Sequence, residues 1–333
     1  MSVTIKDVAR AAGVSVATVS RVLNGSANVS EQATETVNQA IKELNYSPNF
    51  LGRNLRKCET NVILVITPSS DQALYSQIIY GMQTAAAGLG YDIITMISSA
   101  SSETEKRQMN MLFNRTVDGA ILLGTQYDAK TLNSIAENYT IALCCEAVEG
   151  ADVLTVVVDD EKAGYDATMA LIKKGHKKIA FIGATQGDAK SAFDRKRGYL
   201  RALKESGIAV NEDYIWCDTF DFYNGELAVK KFLSLPEPPT ALFAISDLIT
   251  SSAIRELVRQ GVNVGKEFAV MGFDDIAMAR LYCPSISTVA QPCAKMGAFV
   301  VEKLIENMTS AHKDTGTYYI DHEVMLREST GDE

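Results

Sequence analysis

The chain has 333 residues, of which 47% are hydrophobic and 22% are charged. This length and composition are typical of a globular protein with roughly two or three domains, and they exclude a disordered or fibrous chain. The amino terminus shows no apolar run behind a basic start, and the sequence has no uncharged apolar stretch of about 18 residues. We therefore expect a cytoplasmic protein without a signal peptide or a membrane-spanning helix.

The net charge of −9 conceals an asymmetry along the chain. Residues 1–60 contain seven Lys and Arg against five Asp and Glu, which gives +2 and leaves −11 for the remainder. Because phosphate contacts need basic side chains, the average charge argues against a nucleic-acid partner. A basic head on an acidic body instead indicates a small nucleic-acid-binding module joined to a domain with another task.

The common catalytic and cofactor-binding motifs do not occur in the sequence. There is no GxGxxG after a predicted strand, no GxxxxGK[ST] and no GxSxG, and the three histidines are scattered. The six cysteines form no CxxC pair, and Cys144 and Cys145 lie inside an apolar segment. We expect reduced thiols, no metal, no cofactor and no enzymatic activity.

The first 46 residues carry the signals of three short helices. Thr4 followed by Asp7 indicates an N-cap and a capping box, and apolar residues then recur at helical spacing to about residue 12. Gly13 can leave the helix with positive φ, and Ser15 caps a second helix. Ser30 caps a third helix with one apolar stripe, so that the three helices can share a small core. This periodicity alone fits any three-helix bundle.

The residue order of these helices is more specific than their periodicity. The segments are Thr4-Ile5-Lys6-Asp7-Val8-Ala9, Ala12-Gly13-Val14-Ser15 and Thr18-Val19-Ser20-Arg21-Val22-Leu23-Asn24. They resemble the helix-turn-helix of the lactose-repressor (LacI/GalR) family almost letter for letter. The resemblance implies that the second helix enters the major groove of DNA, with its first residues at the base edges. The DNA contacts implied in this head are Thr4, Ser15, Val16, Ala17, Thr18, Ser20, Arg21 and Asn24.

The residue types of the second helix limit what it can read. Val16 and Ala17 can offer only methyl contacts, for instance to thymine, whereas Arg21 can bond guanine O6 and N7 bidentately. The alternative for Val16 is packing in the core beside Val19.

Residues 47–58 resemble the hinge helix of the family, which orders on operator DNA and inserts a leucine into the minor groove. Pro48 suits a first helical turn, and the segment alone is too short for a stable helix in water. Leu55 occupies the place of the inserted leucine, and wedges of this kind kink the duplex. The DNA contacts implied here are Asn49, Arg53, Leu55, Arg56 and Lys57. The alternative is an ordinary linker.

From residue 59 onward, apolar runs alternate with amphipathic stretches. Strands are predicted at Val62–Thr67, Asp92–Ile97, Gly119–Gly124, Thr140–Cys145, Val153–Val158, Lys178–Gly183, Tyr214–Cys217, Ala241–Ser246 and Phe268–Phe273. Helices are predicted between them, which favours parallel, doubly wound sheets with helices on both faces. Such sheets bind ligands beyond the carboxyl ends of their strands, so two of them place a cleft between them.

The core also contains residue order typical of the family. The segments are Gly175-His176-Lys177-Lys178-Ile179-Ala180, Arg195-Lys196-Arg197-Gly198-Tyr199, Gly272-Phe273-Asp274-Asp275 and Leu326-Arg327-Glu328-Ser329-Thr330. The resemblance implies an all-α helix-turn-helix head on an α/β core of two doubly wound parallel-sheet subdomains of periplasmic-binding-protein type. The expected domains are a DNA-binding domain (1–46), a hinge (47–58) and an effector-binding and dimerisation core (59–333). The expected N-subdomain covers about 60–159 and 291–321, and the C-subdomain about 160–288 and 322–330.

The resemblance further implies an effector site in the cleft. Arg195 stands where family members use an arginine to fork onto ligand hydroxyls or carboxylates, and Asp274 stands where an aspartate accepts hydroxyl protons. Phe220 matches the aromatic residue that stacks on a sugar or a base. The other implied effector contacts are Leu74, Tyr75, Ser246, Asp247 and Cys293. Helix capping, ion pairing and packing are the alternative roles for each of them.

The function implied is that of a transcriptional repressor that binds a pseudo-palindromic operator as a homodimer and responds to a small molecule. Local residue order resembles the cytidine-repressor branch, so a nucleoside is an alternative to a sugar. Two other functions stay open: a small-molecule receptor without a DNA role, and a co-repressor-dependent global catabolite regulator. Glu302 stands where the latter needs a basic anchor, which argues against it. The residues do not distinguish induction from corepression.

Overall fold

The computed structural model describes residues 3–23, 29–46, 59–69, 73–185, 190–218 and 220–332. The chain forms two compact units, Met1–Glu59 and Thr60–Glu333. The predicted hinge segment 47–58 lies outside the described residues. None of the helices within the described ranges combines the length and the apolarity that a bilayer crossing requires.

Three helices form the first unit: α1 Ile5–Ala11, α2 Val16–Leu23 and α3 Glu31–Glu43. The capping signals act as the sequence predicts. The Thr4 backbone N–H and hydroxyl donate to Asp7 Oδ2 at 2.9 and 2.6 Å, and the Thr18 N–H donates to Ser15 Oγ at 3.1 Å. The helices bury one shared apolar core, which consists of Val8, Ala9, Ala12, Val19, Val37 and Ala40.

The second unit, which we call the core unit, alternates strands and helices along the chain. Its first stretch contains β1 Val62–Thr67, α4 Ala73–Gly88, β2 Asp92–Ile97, α5 Ser102–Phe113, β3 Gly119–Leu122, α6 Ala129–Asn138, β4 Ile141–Cys144 and β5 Leu154–Val157. Its second stretch contains α7 Asp160–Lys173, β6 Ile179–Ala184, α8 Lys190–Glu205, β7 Ile215–Asp218, α9 Tyr223–Leu233, β8 Ala241–Ala244, α10 Asp247–Arg259, β9 Ala269–Asp274, α11 Ala277–Leu281 and β10 Ser287–Ala290. The last stretch contains α12 Cys293–Thr309, β11 Thr317–Tyr319 and β12 Glu323–Met325.

These strands form two six-stranded sheets, in the orders β11-β5-β4-β3-β1-β2 and β12-β10-β9-β8-β6-β7. The first sheet with α4, α5, α6 and α12 is called the first half, and the second sheet with α7 to α11 is called the second half. The chain passes between the halves after β5, after β10 and after β11. Apolar runs such as Val62–Thr67 become buried strands because helices cover both faces of a parallel sheet.

The edge strand β12 is an antiparallel addition to an otherwise parallel sheet. It runs antiparallel to β10, with Val324 opposite Val289, whereas the other strand pairs are parallel in the described residues. The chain between β10 and β12 runs through α12 and β11 of the first half. An antiparallel edge strand on an otherwise parallel sheet is a common arrangement.

The helices α4 and α12 approach each other through glycines on both sides. A Cβ added to Gly81 would lie 2.1 Å from the Ala294 carbonyl oxygen, and one added to Gly297 would lie 2.1 Å from the Ile78 carbonyl oxygen. Real Cβ atoms do not come this close to backbone atoms, so any side chain there must push the helices apart. The backbones of this pair are therefore in direct contact.

Close contacts at glycines also join α7 and α8 in the second half. A Cβ on Gly164 would lie 2.4 Å from the Arg195 carbonyl oxygen, and one on Gly198 would lie 2.1 Å from the Glu161 carbonyl oxygen. The backbone of Arg195 is thus packed directly on α7. This contact fixes where the arginine side chain starts, close to the first turn of α7.

Asp118 fixes the start of the core unit. Its carboxylate accepts hydrogen bonds from the Thr60 N–H at 2.8 and 3.0 Å, from the Thr60 hydroxyl at 2.9 Å and from the Asn61 N–H at 2.7 Å. The Asp118 N–H in turn donates to the Val62 carbonyl oxygen at 2.8 Å. We call this group the Asp118 clamp, and it holds the chain at the point where it enters β1.

Two glycines of α4 provide a matched test of this packing. Gly81→Ala is expected to lower the free energy of unfolding by roughly 1–3 kcal/mol, because its Cβ meets the backbone of α12. Gly88→Ala, at the open end of the same helix, is expected to be neutral or to stabilise by up to about 1 kcal/mol, because nothing lies within 4 Å of its Cβ. Urea unfolding of both variants measures the difference. Equal effects of the two substitutions would contradict the close approach.

Candidate functional site

A cavity of about 570 Å³ lies between the two halves, at the carboxyl ends of their strands. Pro68, Ser98 and Cys145 follow strands of the first sheet, while Asp274 ends β9 of the second sheet. Ligand cavities of proteins are usually about 300–1,000 Å³, so the volume is that of a small-molecule site. Five of the predicted effector residues line this cavity: Leu74, Tyr75, Arg195, Phe220 and Asp274.

Arg195 is held in place on three sides. Its Nε donates to Asp160 Oδ1 at 2.8 Å, and one terminal nitrogen donates to the Ile245 carbonyl oxygen at 2.6 Å. The guanidinium carbon lies 3.6 Å from the centroid of the Phe273 ring. Arg195 and Asp160 are both buried, so each charge depends on the other for compensation. The guanidinium therefore faces the cavity in a fixed orientation.

Asp274 occupies a strained position at the end of β9. Its φ is +116°, and its Oδ1 accepts a hydrogen bond from Gln291 Nε2 at 2.8 Å. Burial raises the pKa of Asp274 to about 6, although Arg195 and the Gln291 hydrogen bond act in the opposite direction. A carboxylate that accepts hydrogen bonds is thus presented to the cavity from the second half, next to the guanidinium.

Glu146 connects the two halves across the cavity wall. It follows β4 of the first half, and its carboxylate accepts hydrogen bonds from Ser191 of α8, from the hydroxyl at 2.5 Å and from the N–H at 3.3 Å. Loss of solvent around this half-buried group raises the pKa of Glu146. Tyr75 lies nearby, and burial raises the pKa of its hydroxyl. The cavity therefore joins an aromatic ring, carboxylates and one guanidinium.

The first unit presents a continuous exposed surface on α2. Ser15, Ala17 and Arg21 are exposed, and Val16 is 40% exposed, whereas Val19 on the opposite side is fully buried. Val16 therefore lies at the surface and does not pack in the core beside Val19. Thr4 is exposed at the start of α1, and Thr18 and Ser20 are half-buried. The other predicted DNA contacts, Asn24, Asn49, Arg53, Leu55, Arg56 and Lys57, lie outside the described residues.

Family models match both units of the chain. The model described as bacterial regulatory proteins of the lacI family matches residues 4–49. The model described as periplasmic binding proteins and sugar binding domain of the LacI family matches residues 60–327. The chain belongs to the LacI family. This LacI-family chain is a DNA-binding transcriptional regulator and not an enzyme.

Relatives match the LacI-family chain over nearly its whole length. The transcriptional regulator RegA of Clostridium saccharobutylicum is 35% identical, with 99% of this chain and 100% of RegA covered. The transcriptional repressor CytR of Escherichia coli is 34% identical, with 98% and 96% covered.

Two solved structures match the fold over both units. The structure of the regulator CelR with cellobiose is 30% identical, covers 98% of this chain and 99% of CelR, and gives a TM-score of 0.74. The Lac repressor dimer bound to operator and the anti-inducer ONPF is 25% identical, covers 99% of each chain and gives a TM-score of 0.89.

Three of the predicted effector residues of this LacI-family chain do not line the cavity. Ser246 caps α10, since its Oγ accepts from the Ile249 N–H at 3.3 Å. The fully buried Asp247 accepts from the Ile276 N–H at 3.0 Å and from the Thr288 hydroxyl at 2.7 Å. Cys293 is 2% exposed at the start of α12. These three residues therefore cap a helix or pack in the interior, which are the roles given above as alternatives to effector binding.

Several polar residues that line the cavity were not predicted from the sequence. Glu146, Ser191 and Gln291 are described above, and Glu105 of α5 accepts from the Thr125 hydroxyl at 2.5 Å and the Gln126 N–H at 2.8 Å. Glu105 thereby holds the loop after β3 that forms one wall. Gln291 directly follows β10 and Glu146 is the second residue after β4, so their position at a carboxyl end was the available signal. Within the described ranges, no cluster of three or more His, Cys, Asp or Glu is arranged to hold a metal ion.

The raised pKa of Asp274 leads to a prediction about stability. Its pKa is about 6 in the folded protein and 3.8 for a free side chain, so between these values the folded state keeps a proton that the unfolded state releases. The contribution of this group to the free energy of unfolding therefore falls as pH rises from about 4 to 6. As pH rises over this interval, the free energy of unfolding of Asp274→Asn should increase relative to that of the wild type by up to about 3 kcal/mol. This value follows from the difference between the two pKa values at roughly 1.4 kcal/mol per pKa unit.

Urea unfolding of both proteins between about pH 4 and pH 7 measures this difference directly. Titratable groups far from Asp274 contribute almost equally to both curves and cancel in the subtraction. A difference that stays constant with pH would show that Asp274 titrates normally in the folded protein.

Proposed function

We propose that the protein is a repressor whose affinity for an operator is controlled by a sugar or a nucleoside bound in the cavity. The observation that carries this proposal is the cavity itself, where Arg195 and Asp274 present fixed polar groups beside Tyr75 and Phe220. Hydroxyl groups of a ligand can donate to the carboxylates and accept from the guanidinium, and aromatic faces pack against a sugar ring or a base. The cellobiose bound to CelR, a relative of the same fold, supports this choice of ligand class.

The position of the cavity supports a mechanism of control. A ligand between the two halves contacts both, so its binding favours one relative arrangement of the halves over another. The Glu146–Ser191 hydrogen bonds are contacts between the halves that such a change would alter. In this proposal residues 1–46 bind DNA, 47–58 form the hinge and 59–333 bind the effector and dimerise. Effector binding can change the affinity for the operator only if the effector and the operator each bind more tightly to particular arrangements of the two halves.

The exposed side of α2 supports a role in base reading. Val16 and Ala17 contribute methyl contacts, and Arg21 bonds a guanine. Ser15 and Thr18 lie at the base edges with them. Leu55 enters the minor groove. The remaining proposed DNA contacts are Thr4, Ser20, Asn24, Asn49, Arg53, Arg56 and Lys57. Because Val16 and Ala17 supply few hydrogen bonds to bases, Arg21 and Leu55 carry much of the discrimination between sequences.

Exposed apolar side chains support a homodimer. Leu281 on α11 is 84% exposed, and Tyr223, Leu227 and Val258 on the adjoining helices are 63%, 48% and 53% exposed. Large apolar side chains grouped on a surface mark an interface with another protein chain. A two-fold symmetric dimer of cores brings two helix-turn-helix heads to the two half-sites of a pseudo-palindrome.

Arg21→Ala tests the reading of DNA. Duplexes selected by the wild type from a random pool are expected to contain an inverted repeat, as the dimer requires. On these duplexes Arg21→Ala should cost roughly 1–3 kcal/mol per half-site and relax the preference at one base pair. Arg10→Ala, which removes an exposed charge on α1, should leave that preference unchanged. Unaltered base preference in Arg21→Ala, or selected sequences without a repeat, would contradict the assignment.

Phe220→Ala tests effector control. A thermal-shift screen of nucleosides, pentoses and hexoses first identifies a compound that stabilises the wild type. That compound should change the affinity for the selected operator roughly 5- to 150-fold, as a coupling of about 1–3 kcal/mol implies. Phe220 is 37% exposed, so its truncation should spare the fold and DNA binding while reducing the response.

The control for this experiment is Tyr80→Ala, which removes a 68% exposed aromatic side chain of α4 outside the cavity. Fluorescence anisotropy with labelled operator measures all three proteins. A full response in Phe220→Ala would place the effector elsewhere, and an equal loss in Tyr80→Ala would show a general effect on the core.

A further inference from the structure

The charges around Arg195 do not balance. Asp160, Asp274 and Glu146 all interact electrostatically with its guanidinium, so three carboxylates surround one positive charge. Among the residues that the structure describes, only Asp160 forms an ion pair with it, at 2.8 Å. Asp274 and Glu146 line the cavity, and the hydrogen bonds described for them come from the neutral groups of Gln291 and Ser191. The polar end of the cavity therefore has an excess of negative charge.

The second basic residue of the cavity wall does not remove this excess. Lys190 lies 2.5 Å from Asp194, so its charge is compensated by a carboxylate outside the wall. Glu105 and Asp128 add two more acidic groups to the lining. The lining described here thus holds four carboxylates and two basic groups, and each basic group already has an acidic partner.

Some of the groups that could bind a phosphate already have partners in the protein. A phosphate is usually held by the forked nitrogens of an arginine or by the N–H groups at the start of a helix. Here Asp160 and the Ile245 carbonyl oxygen accept from Arg195, at 2.8 and 2.6 Å. At the start of α8, the Ser191 N–H already donates to the carboxylate of Glu146. The carboxylate of Glu146 thus takes up one of the N–H donors at this helix start and adds a negative charge beside it.

We propose that the cavity selects an effector without phosphate or carboxylate groups, and that Glu146 and Asp274 impose this selection by charge. Ligand hydroxyls donate to the two carboxylates, and a protonated amino group on the ligand forms an ion pair with them. An added phosphate is repelled, since like charges in a partly desolvated cavity raise the free energy of the complex. This inference rests on the proposed function, because it assumes that the cavity is the effector site.

Matched ligands test the proposal. D-glucose, D-glucosamine and glucose 6-phosphate form one set, and cytidine, 5′-amino-5′-deoxycytidine and cytidine 5′-monophosphate form another. Calorimetric titration of the full chain measures each affinity. In the set whose parent compound binds, the phosphorylated member should bind at least about tenfold more weakly and the amino member at least as tightly as the parent.

Glu146→Gln identifies the residue responsible. The substitution removes one carboxylate but keeps the shape of the side chain, so the ratio of parent to phosphate affinity should fall severalfold. Glu137→Gln, the same change on the exposed surface of the first half, should leave the ratio at its wild-type value. Asp274→Asn provides a second substitution in the cavity, so that poor folding of one variant does not remove the test.

The proposal is overturned if a phosphorylated member binds as tightly as its parent, if no parent compound binds, or if neither cavity substitution lowers the ratio. The proposed function is judged separately, from the operator. A phosphorylated compound that binds the protein and shifts its operator affinity would sustain effector control while excluding the charge selection described here.

Discussion

The ion pair between Arg195 and Asp160 is the interaction on which the site depends. Both groups are buried, and a buried charge without a partner costs several kcal/mol, on the order of 3–5 when one partner of a pair is removed. The pair is possible because glycines bring α7 and α8 into backbone contact beside it. Helix packing, charge compensation and the orientation of one side chain are thus parts of a single arrangement, and a change in one affects the others.

This arrangement gives Arg195 two tasks. Its guanidinium orders the second half through Asp160, Ile245 and the Phe273 ring, and it also faces the cavity. A ligand therefore meets a group whose position is set before binding, which lowers the entropy lost on association. Loss of the whole side chain would also leave Asp160 uncompensated, so substitutions that truncate Arg195 disturb the fold together with ligand binding.

Much of the fold could be predicted because the apolar runs of a doubly wound core are long. Val62–Thr67 and Asp92–Ile97 are strands with the predicted bounds. The strands β11 and β12 and the helix α11 contain only three to five residues, which is too short for a periodic pattern to be recognised. The site was predictable only in part, since the end of a strand locates a region and not the direction of a side chain. Ser246 lies at the end of a strand as predicted, but its side chain caps a helix and does not enter the cavity. Glu146 belongs to no recognised motif, so the sequence did not indicate its role in the cavity wall.

The Asp118 clamp has a consequence for protein engineering. The chain enters β1 through two residues whose N–H groups are bound to one carboxylate, so the attachment point of whatever precedes the core is fixed to the first sheet. A fluorescent reporter fused in place of residues 1–58 would be joined to the core at this fixed point and not through a loose end. A rearrangement of the two halves would then change the distance between the reporter and the second half, which is a quantity that a biosensor built on this core could measure.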